Sequence, residues 1–222
     1  MYDTEYKLRA RNCKDWRNYN TIRLEISVGQ EYHEGEKQFL AGKWARDNFT
    51  NRYIILGDLP QRFNMALVKG GRPDDYKKIC LENGDAWLER NCNAIMGIKV
   101  TRWQDWMNHE DFQKTYQQIC SLYKYNSNFA NAVKQTGLGF INRQNWPSKH
   151  LKVCIDYLLE ECAVFAVAYN EMGGISAYPG TYIDMLSMFV DEEIEGAPAG
   201  LKLAKCVHLC FERRKSSQPK AA

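Results

Sequence analysis

The sequence predicts an α/β protein: a Rossmann-like, mostly parallel sheet with helices on both faces. Two stretches carry that prediction. Thr21 to Val28 (TIRLEISV) alternates apolar and polar side chains, with β-branched residues at 21, 22, 26 and 28, and stops at Gly29 as a strand would. Glu36 to Asn48 then shows a helical period, with apolar residues at 39, 40, 41, 44 and 45, before Arg52 to Leu56 (RYIIL) returns to a strand. Strand, helix and strand in that order make a β-α-β unit, which calls for parallel strands covered on both sides.

The remaining elements follow along the chain. Ala94 to Val100 (AIMGIKV) and Ala204 to Phe211 (AKCVHLCF) read as further strands. Helices are signalled by an acidic first turn at Glu110 and Asp111, by a Ser127 cap, and by Ser148 capping a long run from Lys149 to about Ala168. The stretch G-G-I-S-A-Y-P-G (173–180) reads as a turn, a short extended piece and a second turn that presents Tyr178 before Pro179.

At 222 residues, with 45% hydrophobic and 26% charged residues, the chain is long enough to bury one sizeable core. One domain is expected over 1–212, followed by a basic, disordered tail at 213–222. No stretch approaches the roughly 20 apolar residues of a membrane span, and Met1 to Lys14 is too charged for a secretory signal, so a cytoplasmic location is expected. The eight cysteines are scattered singly and read as reduced thiols. Cys206, His208 and Cys210 share one face of a strand but lack a second ligand pair, so no metal is expected. A net charge of +3 permits contact with a polyanion without demanding it.

Ser27 closes the first strand just before Gly29, and open α/β sheets bind ligands at the carboxyl ends of their strands. The local run E-I-S-V-G lacks the first glycine of a hydrolase nucleophile elbow, so Ser27 is either a functional hydroxyl or one that satisfies a loop hydrogen bond. In the helix from Lys149, the spacing of Lys149, Lys152, Asp156 and Glu160 marks the wet face. Glu161 lies off it, on a stripe with Cys154, Tyr157, Val164 and Ala168. A carboxylate buried there requires a cationic or donor partner (a substrate ammonium, an internal arginine, or Tyr157 itself) or a raised pKa. There is no G-x-G-x-x-G, no Walker loop and no H-x-G-H, so nothing in the chain is built to bind ATP.

Read together, I-S-V-G-Q (26–30), K-W-A-R-D-N-F (43–49), the strand RYIILGD, the Y-x-x-x-E pair Tyr157 and Glu161, Tyr178-Pro179 and the last strand resemble the tRNA-dependent cyclodipeptide synthases. That resemblance implies the fold of the catalytic domain of tyrosyl- and tryptophanyl-tRNA synthetases, without its ATP signatures. It implies that Ser27 takes an aminoacyl group from one aminoacyl-tRNA, that the amine of a second attacks it, and that the dipeptidyl-enzyme cyclises to a diketopiperazine. It assigns Tyr157 and Glu161 to the aminoacyl ammonium and Tyr178 to ordering the serine. Gln30 and Pro179 match the subfamily named for its Tyr-Pro pair, and Arg23, Glu25 and Gly29 join them around the substrate. No cofactor is implied, and the family suggests a monomer.

The family's strongly basic tRNA helix is matched here by Arg62, Lys69, Arg72, Lys77, Lys78 and Arg90, diluted by Asp74, Asp75, Glu82, Asp85 and Glu89. A smaller tRNA contact, or help from the basic tail, is therefore expected. Arg23 and Glu25 share the face of Ser27, which favours a polar, charged or small amino acid as one substrate, or else a salt-bridged pair at a pocket floor. Two rival readings stand beside the enzyme: a non-catalytic synthetase-like module that grips charged tRNA, and a hydrolase, which would need a histidine close to Ser27 in space.

Overall fold

A computed structural model describes residues 5–180 and 184–214 of the chain; most of the expected basic tail, 215–222, lies outside the described residues. In chain order the strands are β1 (Tyr6–Arg11), β2 (Thr21–Ser27), β3 (Asn51–Gly57), β4 (Lys99–Arg102), β5 (Ile175–Tyr178) and β6 (Cys206–Arg213). The α-helices are α1 (Gly35–Asn48), α2 (Gln61–Lys69), α3 (Lys77–Arg90), α4 (Cys92–Ile95), α5 (Trp103–Met107), α6 (Phe112–Tyr125), α7 (Ser127–Gln144), α8 (Leu151–Met172) and α9 (Ser187–Val190).

The six strands form one sheet in the order β1-β6-β5-β2-β3-β4, parallel throughout except where β1 meets β6. From β2 the chain winds outward through β3 to β4, then crosses back to place β5 on the other side of β2. The reversal opens a crevice at the carboxyl ends of β2, β3 and β5, the place where doubly wound sheets bind ligands. Alternation along each strand feeds two cores. Ile22, Leu24, Ile26, Ile54 and Leu56 pack with Ala41 and Ala45 of α1 and Trp87 of α3 on one face. Ile55 joins Phe112, Phe129, Val133 and α8 on the other.

Helix α8 sets the architecture of that second face. Every residue from Leu158 to Tyr169 is buried, because α6, α7 and the 3-10 turn Ala199–Leu203 enclose it. Gly200 lets that turn approach: a Cβ there would stand 1.8 Å from the carbonyl oxygen of Ala166. This enclosure corrects one expectation. Glu160, assigned above to the wet face, is 7% exposed.

Several boundaries also move. The expected strand at Ala94 to Val100 is α4, then a turn through Gly97 at φ 74°, and only then β4. The cap of α7 is Asn126, whose side-chain oxygen accepts the Phe129 N–H at 3.0 Å, rather than Ser127. Ser148 begins a 3-10 turn, Ser148–His150, that precedes α8. Arg213 belongs to β6 rather than to a tail. Strand β1, not anticipated from the sequence, turns Leu8 and Ala10 inward and Lys7, Arg9 and Arg11 outward, and pairs antiparallel with β6.

Candidate active site

Strand β2 delivers Ser27 to the crevice, and the chain must then turn sharply. Gly29 provides the turn at φ 89°, and the Gln30 N–H bonds back to the Ser27 carbonyl at 3.2 Å. A 3-10 turn, Glu31–His33, folds Tyr32 and His33 over the end of the strand. From the far side β5 brings Tyr178. Its hydroxyl lies 3.1 Å from Ser27 Oγ and 3.1 Å from the Tyr32 hydroxyl, so three hydroxyls form one chain. Gly180 makes room for both rings, since a Cβ there would meet Tyr178 Cε1 at 2.6 Å and the Tyr32 hydroxyl at 2.8 Å. Burial holds the Tyr178 phenol far above its ordinary range, so it stays neutral.

These groups face a cavity of about 530 Å³, also lined by Glu25, Tyr157, Glu161, Phe165 and His208. Pockets of roughly 300–1,000 Å³ take ligands of small-molecule size. The one helical turn between Tyr157 and Glu161 lets the phenol donate to Glu161 Oε1 at 2.7 Å. Glu161 Oε2 is buried without a hydrogen-bond partner, and no basic side chain pairs with Glu161 among the described residues. Burial is the main reason its carboxyl is pushed up to about 8; Tyr157 opposes this, and the negative charges of Glu25 and Glu160 add to it. At neutral pH the site therefore favours the neutral acid, and a cation entering the cavity is the partner that draws it into the carboxylate form.

The structure brings Ser27, Tyr157, Glu161, Tyr178, Glu25, Gln30 and Pro179 to this cavity. Two expected substrate contacts do not line it. Arg23 is fully buried: it donates to Ser176 Oγ at 3.1 Å, to the Leu203 carbonyl at 2.7 Å and to the Gly173 carbonyl, and lies 3.9 Å over the Tyr169 ring. Gly29 shapes the turn without facing the cavity. Glu25 accepts a hydrogen bond from Tyr169; burial raises its carboxyl, against the pull of Ser176, Tyr169 and the Arg23 charge.

The expected tRNA contacts need a larger correction. Arg62 is buried, forming a two-pronged pair with Glu160 that includes a 2.9 Å bond from Nη1 to Oε1, while Trp103 Nε1 donates to the same Oε1 at 3.0 Å. Lys69, Arg72, Lys77, Lys78 and Arg90 are exposed. Four of them pair with Asp75, Asp74, Glu82 and Glu34 respectively, starting from Arg72, at 3.4, 3.0, 3.8 and 2.9 Å. A different basic surface runs along β1, starting next to one cavity-lining residue. Lys7, Arg9 and Arg11 stand exposed on β1, and Arg11 is in register with His208, which lines the cavity. Glu212 pairs with both Arg9 and Arg11, at 2.9 and 2.7 Å.

Tyr32 and His33 are the site residues that sequence reasoning missed. Both lie within six residues of Ser27, but the 3-10 turn that folds them back carries no periodic signal. Among the described residues no cluster of His, Cys, Asp and Glu could hold a metal ion, and no helix is long and apolar enough to cross a membrane.

A scan against protein-family models finds no match, and neither does a search of curated proteins. Solved structures do match. A cyclodipeptide synthase from Fluoribacter dumoffii is 23% identical, with a TM-score of 0.82 over 94% of this chain and 99% of that one. A Mycobacterium tuberculosis protein, 11% identical, has a TM-score of 0.73 over 96% of each chain; its structure is described as demonstrating that cyclodipeptide synthetases are related to type I tRNA synthetases. A cyclodipeptide synthase from Candidatus Glomeribacter gigasporarum bound to Phe-tRNAPhe is 14% identical, with a TM-score of 0.65 over 90% of this chain and 91% of that one. The chain shares the fold of these proteins over nearly its whole length.

Proposed function

We propose that this chain is a tRNA-dependent cyclodipeptide synthase of the Tyr-Pro subfamily, a single catalytic domain over 1–212 that acts as a cytoplasmic monomer. The observation that carries the reading is one cavity holding both a serine hydroxyl and a buried acid without a basic partner: Ser27 Oγ 3.1 Å from the Tyr178 hydroxyl, and Glu161 with one unpartnered oxygen. An aminoacyl group on tRNA offers both complements, an ester carbonyl to attack and an ammonium to bind.

In the first step Ser27 Oγ bonds to the ester carbonyl carbon and the bond to the tRNA ribose oxygen breaks. The proton leaving Ser27 ends on that ribose oxygen, with the neutral Tyr178 hydroxyl in place to relay it. Tyr157 and Glu161 hold the ammonium of the bound aminoacyl group. The free amine of a second aminoacyl-tRNA then attacks the serine ester and becomes acylated, which frees Ser27; the resulting dipeptidyl group returns to Ser27 from its tRNA. Its own terminal amine displaces Ser27 and closes the diketopiperazine ring. Aminoacyl esters are already activated, so positioning suffices and no cofactor or metal is required.

Glu25, buried at the cavity wall, favours a small or polar side chain on one of the two amino acids. For the tRNA, the β1 face supports the contact better than α2 and α3 do. Lys7, Arg9, Arg11 and Arg213 there stand against Glu5 and Glu212, whereas Arg62 of α2 is buried and Lys77, Lys78 and Arg90 of α3 are ion-paired.

The test is mass spectrometry of small molecules from bacteria expressing the chain and, in parallel, Ser27→Ala. A cyclic dipeptide that disappears with Ser27 supports the reading and identifies both substrates. If folded protein supplied with charged tRNA makes none, Ser27 is not a nucleophile; tRNA binding that survives in that protein would favour the binding module.

A further inference from the structure

A strand that ends on a reactive residue leaves that residue's backbone loose unless a group outside the sheet holds it. Successive peptide groups of a strand point to alternate sides. The Val28 N–H bonds to Gly57 on the β3 side at 3.3 Å, so the Ser27 N–H points toward β5. On that side the pairing of β2 covers Ile22, Arg23 and Leu24, leaving Ser27 beyond its reach. His33 supplies the missing partner: its Nδ1 accepts the Ser27 N–H at 2.7 Å.

The imidazole is itself firmly held. The residue is 1% exposed, its ring lies edge-on to Tyr178 with ring centres 5.3 Å apart and to Tyr32 at 4.7 Å, and its backbone carbonyl accepts Trp87 Nε1–H at 2.8 Å. One ring therefore touches both the peptide of Ser27 and the tyrosine that holds the Ser27 oxygen.

We infer that His33 is a positioning residue, which locks the last peptide of β2 and so aims Ser27 Oγ at Tyr178 and the incoming ester. The inference rests on the reading of Ser27 as the acylated residue. A peptide N–H can only donate, so Nδ1 must carry the lone pair and the ring must be neutral with its proton on Nε2. Burial keeps it so, pushing the ring down to about 3. The 3.3 Å approach of Nδ1 to the Ser27 carbonyl is then a contact without a hydrogen bond. Nε2 is buried with no partner, a penalty that an apolar side chain of similar size would avoid. What the imidazole offers in exchange is its other nitrogen, the acceptor for the Ser27 N–H.

The experiment measures acyl transfer from bulk bacterial tRNA, charged with a mixture of radiolabelled amino acids, onto the intact chain, as label that stays with denatured protein. Ser27→Ala sets zero. His33→Leu should bind charged tRNA with unchanged affinity yet lower the maximal labelling rate roughly 10- to 100-fold, since small misplacements of reacting groups have effects of that size. His33→Asn, whose carboxamide oxygen falls near the place of Nδ1, should recover most of the rate, and His33→Gln, which reaches toward Nε2 instead, should not. If His33→Leu fails to fold, the Asn and Gln variants still decide between the two outcomes. Label undiminished in His33→Leu, or Asn no better than Gln, overturns the role of His33 alone. Absence of Ser27-dependent label in the unaltered chain overturns the functional reading and this role with it.

Discussion

Glu160 and Glu161 are neighbours on α8, each 7% exposed, and they keep different company. Adjacent residues of a helix point about 100° apart, so one carboxylate faces α2 and α5 while the other faces the cavity. Glu160 meets the Arg62 guanidinium with both oxygens and Trp103 Nε1 with one of them. Glu161 meets the Tyr157 hydroxyl with one oxygen and nothing with the other. Equal burial therefore implies no common role. A carboxylate whose lone pairs are met inside the protein is a brace; one whose oxygen is left unmet in a cavity holds binding capacity in reserve.

The harshest way to break the comparison is to remove the brace. Glu160→Ala leaves the Arg62 charge buried and unpaired, and should lower unfolding free energy by about 3–5 kcal/mol in denaturant titrations. Replacing both partners, Arg62→Met with Glu160→Leu, should recover most of that loss, because apolar groups of similar volume often match a buried pair. A single-variant loss below about 1 kcal/mol would place Arg62 and Glu160 in water rather than in the core.

The two carboxylates also show how far sequence reading reached. Glu161 was legible because Cys154, Tyr157, Val164 and Ala168 share its helical stripe. Glu160 was not, because its spacing from Lys149, Lys152 and Asp156 marks a wet face on any helix with one dry side. From Leu158 to Tyr169 α8 has no wet side, being enclosed by segments remote in sequence, and a periodicity argument carries no information about them. Arg62 failed for the same reason: in a charge count it equals Lys69, and only packing distinguishes them. Strand β1 was hidden because its outward Lys7, Arg9 and Arg11 leave only a short apolar face, Leu8 and Ala10, which becomes a strand face once β6 pairs with it. The β-α-β start, the strand end at Ser27 and the short extended piece before Pro179 needed only local pattern, and they were legible.

Glu161→Gln tests the reserve half of the comparison. The variant should fold, since the carboxamide keeps an acceptor for Tyr157, but it cannot pair with an ammonium. Loss of a charged hydrogen bond, about 1.5–3 kcal/mol, corresponds to product formation slower by roughly 10- to 150-fold. Stability against pH gives an independent readout. The carboxyl is raised from its ordinary 4.5 to about 8 in the folded chain, so between those values the native state binds more protons than the unfolded state. Stability contributed by this group is full below the lower value and declines as pH rises toward the upper one. In Glu161→Gln that decline should vanish, so the variant should gain on the unaltered chain as pH increases. Parallel stability curves would mean that Glu161 titrates normally and is not the buried group described.

The gentlest probe removes only the phenol. Tyr157→Phe keeps the ring, which packs 5.7 Å from that of Phe63, and deletes the hydroxyl that donates to Glu161 Oε1. One hydrogen bond is lost, about 0.5–1.5 kcal/mol. That bond pulls the Glu161 carboxyl down against burial and the charges of Glu25 and Glu160. Without it the group should hold its proton more tightly, and the pH-linked fall in stability should extend to higher pH instead of disappearing. The two variants must therefore move the same curve in different ways, Gln flattening it and Phe lengthening it. Identical curves for Tyr157→Phe and the unaltered chain would show that the phenol does not tune Glu161, leaving Tyr157 as a packing residue beside the cavity.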